Sequence, residues 1–263
     1  MTEHFQNIKL ILAYDGTHYY GWQRQKNRAT IQGVLEAKIE TLCGDHVTLI
    51  GSGRTDAGVH ATHQVCNFVT RSRIPLHGMR KGLNSLLPDD IFVKSMEYVP
   101  LDFHSRYNAR TKTYEYRILN RADPDVFLRR YVWHIRRALD ATEMERCLSL
   151  LVGRHDFSSF KSSGSENRDP LRTVLRAELQ VQRGGLLSLI IEADGFLRHM
   201  VRNIVGTIAE VGLGKMTLQG FEEILEAKDR RLAGVKAPAQ GLFLKTVQYE
   251  SPDPADAFFS RPR

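Results

Sequence analysis

Apolar residues in this chain recur in two rhythms that alternate along its length. HQVCNFVT sets Val65, Asn67 and Val69 on one side and Cys66 and Phe68 on the other. TKTYEYRIL sets Thr111, Thr113, Glu115 and Arg117 opposite Lys112, Tyr114, Tyr116 and Ile118, again the two-residue period of a strand. IKLILAYDG reads as a strand ending in an Asp-Gly turn, and VTLIGSG, IFVKSMEYV and APAQGLFLKTVQYE as further strands. LRTVLRAELQVQRGGLLSLIIEADG predicts a hairpin turning at Gly184-Gly185. Between these runs the period becomes helical. TIQGVLEAKIETL aligns Ile31, Val34, Leu35, Ile39 and Leu42 behind a Thr30 N-cap. RIPLHGMRKGLNSLLPDDI predicts a helix closed by Pro88. Thr142 and Glu145 form a capping box for a helix facing inward through Met144, Cys147, Leu148 and Leu151 and ending at Gly153. MVRNIVGTIAEVG turns Val201, Ile204, Val205, Ile208 and Val211 inward and stops at Gly212, and TLQGFEEILEAKD predicts a last helix.

Strand, helix, strand in each half gives an α+β fold class. It suggests two similar lobes, residues 1–108 and 109–250, without a residue-level repeat or a parallel βαβ pattern. The proline-rich residues 251–263, SPDPADAFFSRPR, read as a loose tail.

Of 263 residues, 42% are hydrophobic, enough for a substantial core. Lys and Arg number 37 against 30 Asp and Glu, a formal charge of +7, which favours a polyanionic partner. Cys43, Cys66 and Cys147 are scattered and odd in number, so no disulfide framework is expected. The first residues, MTEHFQNIKLILAY, hold an early acid and only a short apolar run, and no later run reaches the ~20 residues of a membrane span. The expectation is a cytoplasmic protein with no membrane segment.

The stretch GSGRTDAGVHATHQV, Gly51 to Val65, invites a phosphate-loop reading and fails it. Gly53 and Gly58 have Walker A spacing, but Val59-His60 stand where Lys and Ser or Thr are required. Gly51-x-Gly53 meets Asp56 where a dinucleotide fingerprint needs glycine, so no nucleotide cofactor is expected. His60, His63 and Cys66, three apart, would converge on a helix, but they fall on a loop entering a strand, so no metal is expected. What remains is Asp56 in a small-residue turn, with Arg54 two residues away. A carboxylate near a guanidinium stays ionised and can serve as nucleophile, base or electrostatic stabiliser. The loop reads as a flexible mount for that carboxylate, its glycines leaving room for a large ligand.

RTDAGVHA, Arg54 to Ala61, resembles the signature of the TruA-type tRNA pseudouridine synthases. The resemblance continues in order through YDGTHYYGWQRQ, LNSLLPDDI, FHSRYNARTKTYEY, DFSSF, FLRHMVRNIVGT and APAQGLFL, from Lys9 to about Tyr249. It implies an isomerase making pseudouridine at positions 38, 39 and 40 in the anticodon stem and loop of tRNA. It also implies no cofactor, a homodimer, and two lobes around a mainly antiparallel sheet with a basic cleft between them, the pseudouridine synthase fold.

By the same resemblance, Asp56 is the catalytic aspartate, Tyr114 stacks on the target base, and Arg202 pairs with the aspartate. Leu242 is the apolar residue of the pocket, and Arg54 assists base flipping. A single ionised carboxylate suffices for such a reaction, and a flipped uridine needs an aromatic face to rest on. His63 stands where the family commonly has glycine, Ser105 where alanine is usual and Asn108 where a small residue is common, which bears on loop shape and RNA grip. Arg71, Arg73, Arg80, Lys81, Arg129, Arg130, Arg168 and Arg172 are candidates for phosphate contact. Arg24, Arg106 and Arg110, inside matched segments, are the preferred ones.

Overall fold

The computed structural model describes residues 5–162 and 169–250; Arg168 and the tail 251–263 lie outside the described residues. The first half forms β1 (Gln6–Tyr14), α1 (Ile31–Cys43), β2 (Ile50–Gly51), β3 (His60–Thr70), α2 (Leu76–Leu86) and β4 (Ile91–Val99). The second forms β5 (Ala109–Asn120), β6 (Trp133–Ile135), α3 (Ala141–Leu150), β7 (Gly153–Asp156), β8 (Leu171–Val181), β9 (Leu186–Ala193), α4 (Met200–Gly212), α5 (Leu218–Ala227) and β10 (Leu242–Tyr249).

One sheet joins the halves in the order β4-β1-β3-β10-β5-β9-β8-β7, with β2 on β3 and β6 on β5. All pairings are antiparallel except β3 with β10 and β5 with β6. The wiring repeats. In the first half the leading strand β1 lies between β3 and β4, and in the second the leading strand β5 lies between β9 and β10. The halves meet where His60 and Ala61 of β3 pair with Phe243 and Leu244 of β10. This is the α+β, mainly antiparallel architecture expected, with similar strand order on either side of the seam.

The sheet is two-faced. Ile8, Leu10, Leu12, Tyr14, Tyr114, Tyr116, Ile118, Leu187, Leu189 and Ile191 belong to a single core cluster with the inward residues of α1 to α5. Burying ten side chains of this size supplies the main driving force for closing helices onto sheet. The opposite face carries charge: buried Glu115 accepts from Arg117 (3.0 Å) and Ser188 (3.0 Å) and pairs with Lys245 at 3.0 Å. Burial raises the Glu115 pKa, but hydrogen bonds from Arg117 and Lys245 outweigh it and leave the carboxyl below its usual value.

Thr30 caps α1 as expected, its side chain accepting from the Gly33 amide. The buried face differs: Val34 and Leu42 are half-buried, while Gln32 and Glu36 are buried. Gln32 Nε2 donates to Leu49 O (3.0 Å), and Leu49 N donates to Glu36 Oε1 (2.9 Å). Leu49 thus finds its backbone partners on a helix, so VTLIGSG forms only the two-residue strand β2. In α3 the inward face is as predicted, but the cap is Asp140, accepting from Glu143 N, and Thr142 sits inside the helix. Gly153 belongs to β7 instead of ending α3. Gly212 is the last residue of α4, and the left-handed turn after it is taken by Gly214 (φ 68°). Helix α4 is buried almost all round. Gly206 makes this possible: a Cβ there would stand 1.6 Å from Val235 O.

Candidate active site

Asp56 sits on the turn between β2 and β3, and that turn is braced from several sides. Trp22 N donates to Thr55 O (3.0 Å), Tyr14 and Thr55 share a hydroxyl bond of 2.8 Å, and buried Gln64 donates to Gly53 O (2.9 Å). Ser52 Oγ donates to Gln64 (2.7 Å), and Lys112 Nζ donates to Ser52 O (2.7 Å). The glycines serve this construction. A Cβ on Gly51 would lie 2.6 Å from the Trp22 indole, and Gly58 adopts φ 77° in the turn returning to β3. The loop expected from sequence to be a flexible mount is thus held by hydrogen bonds from several elements.

The Asp56 carboxylate, with 28% of its side chain exposed, accepts from Arg202 Nη1 at 3.0 Å through Oδ2, while His199 Nε2 lies 3.4 Å from Oδ1. Both partners come from the start of α4. Arg202 is otherwise buried and donates through Nε to Ala237 O (2.8 Å). Burial raises the Asp56 pKa, and the contacts with His199 and then Arg202 reverse the effect, holding the carboxyl below its usual value. His199 immediately precedes α4 in a left-handed conformation (φ 63°, ψ 6°), and its Nδ1 is buried with no hydrogen-bond partner among the described residues.

The carboxylate opens into a cleft of about 1060 Å³ whose walls include Arg54, Tyr114, Arg202 and Leu242, so the five residues singled out for the chemistry come together. Tyr114 is nearly buried, its ring meeting Phe196 edge-on at 4.9 Å, and burial pushes its phenol pKa up. Leu242 opens β10 opposite Tyr116. Arg54 Nε donates to Gln23 Oε1 (3.1 Å) at the rim.

Of the preferred phosphate contacts, Arg106 lines the cleft. Arg24 lies outside it, 3.2 Å from Glu36, and Arg110 pairs with Glu250. Sequence reasoning missed His199, Phe196 and Arg198, all within the FLRHMVRN segment, together with Lys112 and Lys236. The signal for Lys112 was its place two residues before Tyr114 on the same strand face. Burial, then Arg106 and Arg172, lowers the Lys112 pKa to about 8. His60 stacks on Phe243 (4.7 Å) and accepts from Gly16 N, while Cys66 lies in the core, so this set does not converge on a common point. Among the described residues no group of three metal-type side chains stands together.

A carboxylate held ionised in a cation-walled cleft with an aromatic floor suits chemistry on a flipped nucleoside of a polyanion. The comparison with known families agrees. The family model described as tRNA pseudouridine synthase matches residues 10–108 and 148–250, one stretch in each half.

The chain belongs to the tRNA pseudouridine synthase family. It is similar to proteins named tRNA pseudouridine synthase A from Acetivibrio thermocellus and Thermoanaerobacter sp., each 46% identical with 93% of this chain and 100% of the relative covered. The protein of that name from Moorella thermoacetica is 46% identical over 92% of this chain and 99% of its own length. This pseudouridine synthase family member is thus an isomerase acting on tRNA uridine, and no helix among its described residues is long and apolar enough to cross a membrane.

The three departures from the family pattern lie outside the cleft. Ser105 is buried and donates through N and Oγ to Asn67 Oδ1 (2.9 and 2.7 Å), while Asn108 Oδ1 accepts from His104 N (2.7 Å). His63 is half-buried, its pKa lowered by burial, then by Lys94 and Lys9.

Proposed function

We propose that this enzyme converts uridine to pseudouridine at positions 38, 39 and 40 of the tRNA anticodon arm, with Asp56 as the catalytic carboxylate. The observation that carries this reading is the ion pair of Asp56 with Arg202 at 3.0 Å, at the head of a cleft that also holds Tyr114 and Leu242. The reaction breaks the bond from ribose C1′ to uracil N1, turns the base, and joins C1′ to C5. The C5 hydrogen leaves as a proton and N1 gains one, so no redox partner is required. Asp56 acts as nucleophile on sugar or base, or takes a ribose proton; each role requires the ionised form that Arg202 and His199 favour.

Extracting the base from its stack costs a few kcal/mol. A face on Tyr114 returns about 1–3 kcal/mol, and Leu242 closes the pocket against water. Arg54, at the rim, assists base flipping. Arg24, Arg106 and Arg110 contact phosphates. The division at residue 108 into two lobes, the homodimer and a cytoplasmic location complete the proposal; the repeated strand order supports the first, and sedimentation of the purified protein tests the second.

The test is an Asp56→Ala variant assayed for tritium release from tRNA labelled at uridine C5 and for binding to anticodon-arm RNA. Binding close to wild type with no tritium release is the expected result. Release at the wild-type rate ends the catalytic assignment. Pseudouridine mapping in cells lacking the protein tests the positions: loss is expected at 38, 39 and 40, and loss elsewhere overturns the anticodon-arm reading.

A further inference from the structure

Tyr107 is 76% exposed, an unusual setting for a large aromatic ring on a well-braced turn. Residues 104–108 link β4 to β5 and are tied down at every step. His104 Nδ1 accepts from the amides of Arg106 (3.2 Å) and Tyr107 (3.3 Å). His104 N donates to Asn108 Oδ1 (2.7 Å), and Asn108 N donates back to His104 O (3.0 Å). Beneath the turn, Ser105 is fixed to Asn67 of β3, and Tyr249 Oη donates to Ser105 O (2.8 Å). Ser105 and Asn108, two of the departures from the family pattern, therefore build this turn.

Arg106, Tyr107 and Asn108 of the turn are exposed to solvent. The Tyr107 ring lies on the His104 imidazole at 4.2 Å between centroids and 29° between planes, with the Arg106 guanidinium 5.8 Å from its centre. His104, Arg106 and Tyr107 all line the same cleft as Asp56. A ring already stacked on one face, fixed by its backbone and facing a cleft with Arg106 and Lys112 in its wall, matches what a single-stranded base requires. The base supplies a second π-face, and the cations meet its flanking phosphates.

We propose that Tyr107, backed by His104, is a second stacking platform, which takes an unpaired nucleobase of the bound RNA other than the one reacting at Asp56. This rests on reading the cleft as the RNA site. The contact reads no sequence, because every base has a π-face. It fixes the register of the strand while the reacting base leaves the stack.

The experiment measures dissociation constants of full-length Tyr107→Ala, Tyr107→Phe and Tyr107→Trp proteins for anticodon-arm RNA at several salt concentrations, with tritium release under single-turnover conditions. Tyr107→Ala is expected to weaken binding about 5- to 150-fold, the range for one lost base stack, with an unaltered salt slope. Phe and Trp stay within about twofold. Arg106→Ala lowers the salt slope by about one. A scan of abasic positions around the loop locates the partner: at one position, loss of the base removes the penalty of Tyr107→Ala. Wild-type affinity in Tyr107→Ala, an equal loss in Tyr107→Phe, or no such abasic position overturns the platform. A changed sedimentation coefficient with RNA affinity kept also overturns it, reassigning the ring to a protein contact. If wild-type protein binds no anticodon-arm RNA, the reading of the cleft itself fails, which Asp56→Ala binding shows independently.

Discussion

Arg202 meets Asp56 at 3.0 Å across 146 residues of chain, and its Nε simultaneously holds the carbonyl of Ala237. One guanidinium thus ties together the loop before β3, the first turn of α4 and the segment leading to β10. The pair is mostly shielded, so its Coulomb attraction is stronger than between surface charges.

Arg202→Met leaves a largely buried carboxylate and the Ala237 carbonyl without their partner. A stability loss of about 3 kcal/mol is expected, the lower end for a broken buried pair because the carboxylate keeps some contact with water. Losing a partner that lowers its pKa also raises the Asp56 pKa toward the ordinary carboxylate value. The acidic limb of the pH–rate profile therefore moves to higher pH. Tritium release followed from pH 4 upward checks this; an unmoved limb would show that Arg202 does not set the charge of Asp56.

His199 adopts a left-handed backbone, at a cost of about 1 kcal/mol that glycine would not incur. The strain is explained if it positions the ring against Asp56. His199→Gly relieves that strain but removes a partner of Asp56, so its melting temperature is expected to change little while turnover falls roughly 10- to 100-fold, the scale of a misplaced group at a reacting centre. His199→Gln, able to present a donor near the Nε2 position, recovers part of the rate. Thermal melts and single-turnover rates on the same preparations separate the two effects.

The division between what sequence revealed and what it concealed follows contact range. Thr30 could be identified because a cap and its amide partner are three residues apart, and the strand alternation of β3 and β5 because it is local. Leu49 could not be read as half of a helix-strand contact: its partners, Gln32 and Glu36, looked like ordinary solvent-facing residues of α1. Asp140 and Glu143 have the same cap spacing as Thr142 and Glu145, so the local pattern offered two starts for α3, and the structure takes the earlier one. The Asp56–Arg202 pair was legible only through the resemblance, and His199, one residue before the same helix, carried no signal until its backbone placed it against the carboxylate.

Glu115 offers a pH test away from the chemistry. Its folded pKa is depressed, so its contribution to stability is fully present above its unfolded value, about 4.3, and is lost as pH falls through the folded value. Glu115→Gln removes this component. The variant should be less stable than wild type at pH 7 by about 1–3 kcal/mol, since Arg117 and Lys245 lose a shared anion. The gap should narrow toward pH 3. Denaturant melts at both pH values measure it, and a gap independent of pH would assign Glu115 a packing role only.

Gly51 gives the sharpest separation between a flexible and a fixed Asp56 loop. The Trp22 indole occupies the space where a side chain would begin, 2.6 Å from an added Cβ. Gly51→Ala therefore forces either the buried Trp22 or the β2 backbone to move, at an overpacking cost of about 1–3 kcal/mol. Since Trp22 N also holds Thr55 O, the residue before Asp56, the displacement reaches the carboxylate and turnover falls with stability. Were the loop a mobile mount, the extra methyl would be absorbed with little change in rate. Parallel measurement of melting temperature and tritium release on Gly51→Ala decides between the two, and the bracing by Trp22, Tyr14 and Gln64 predicts that both fall.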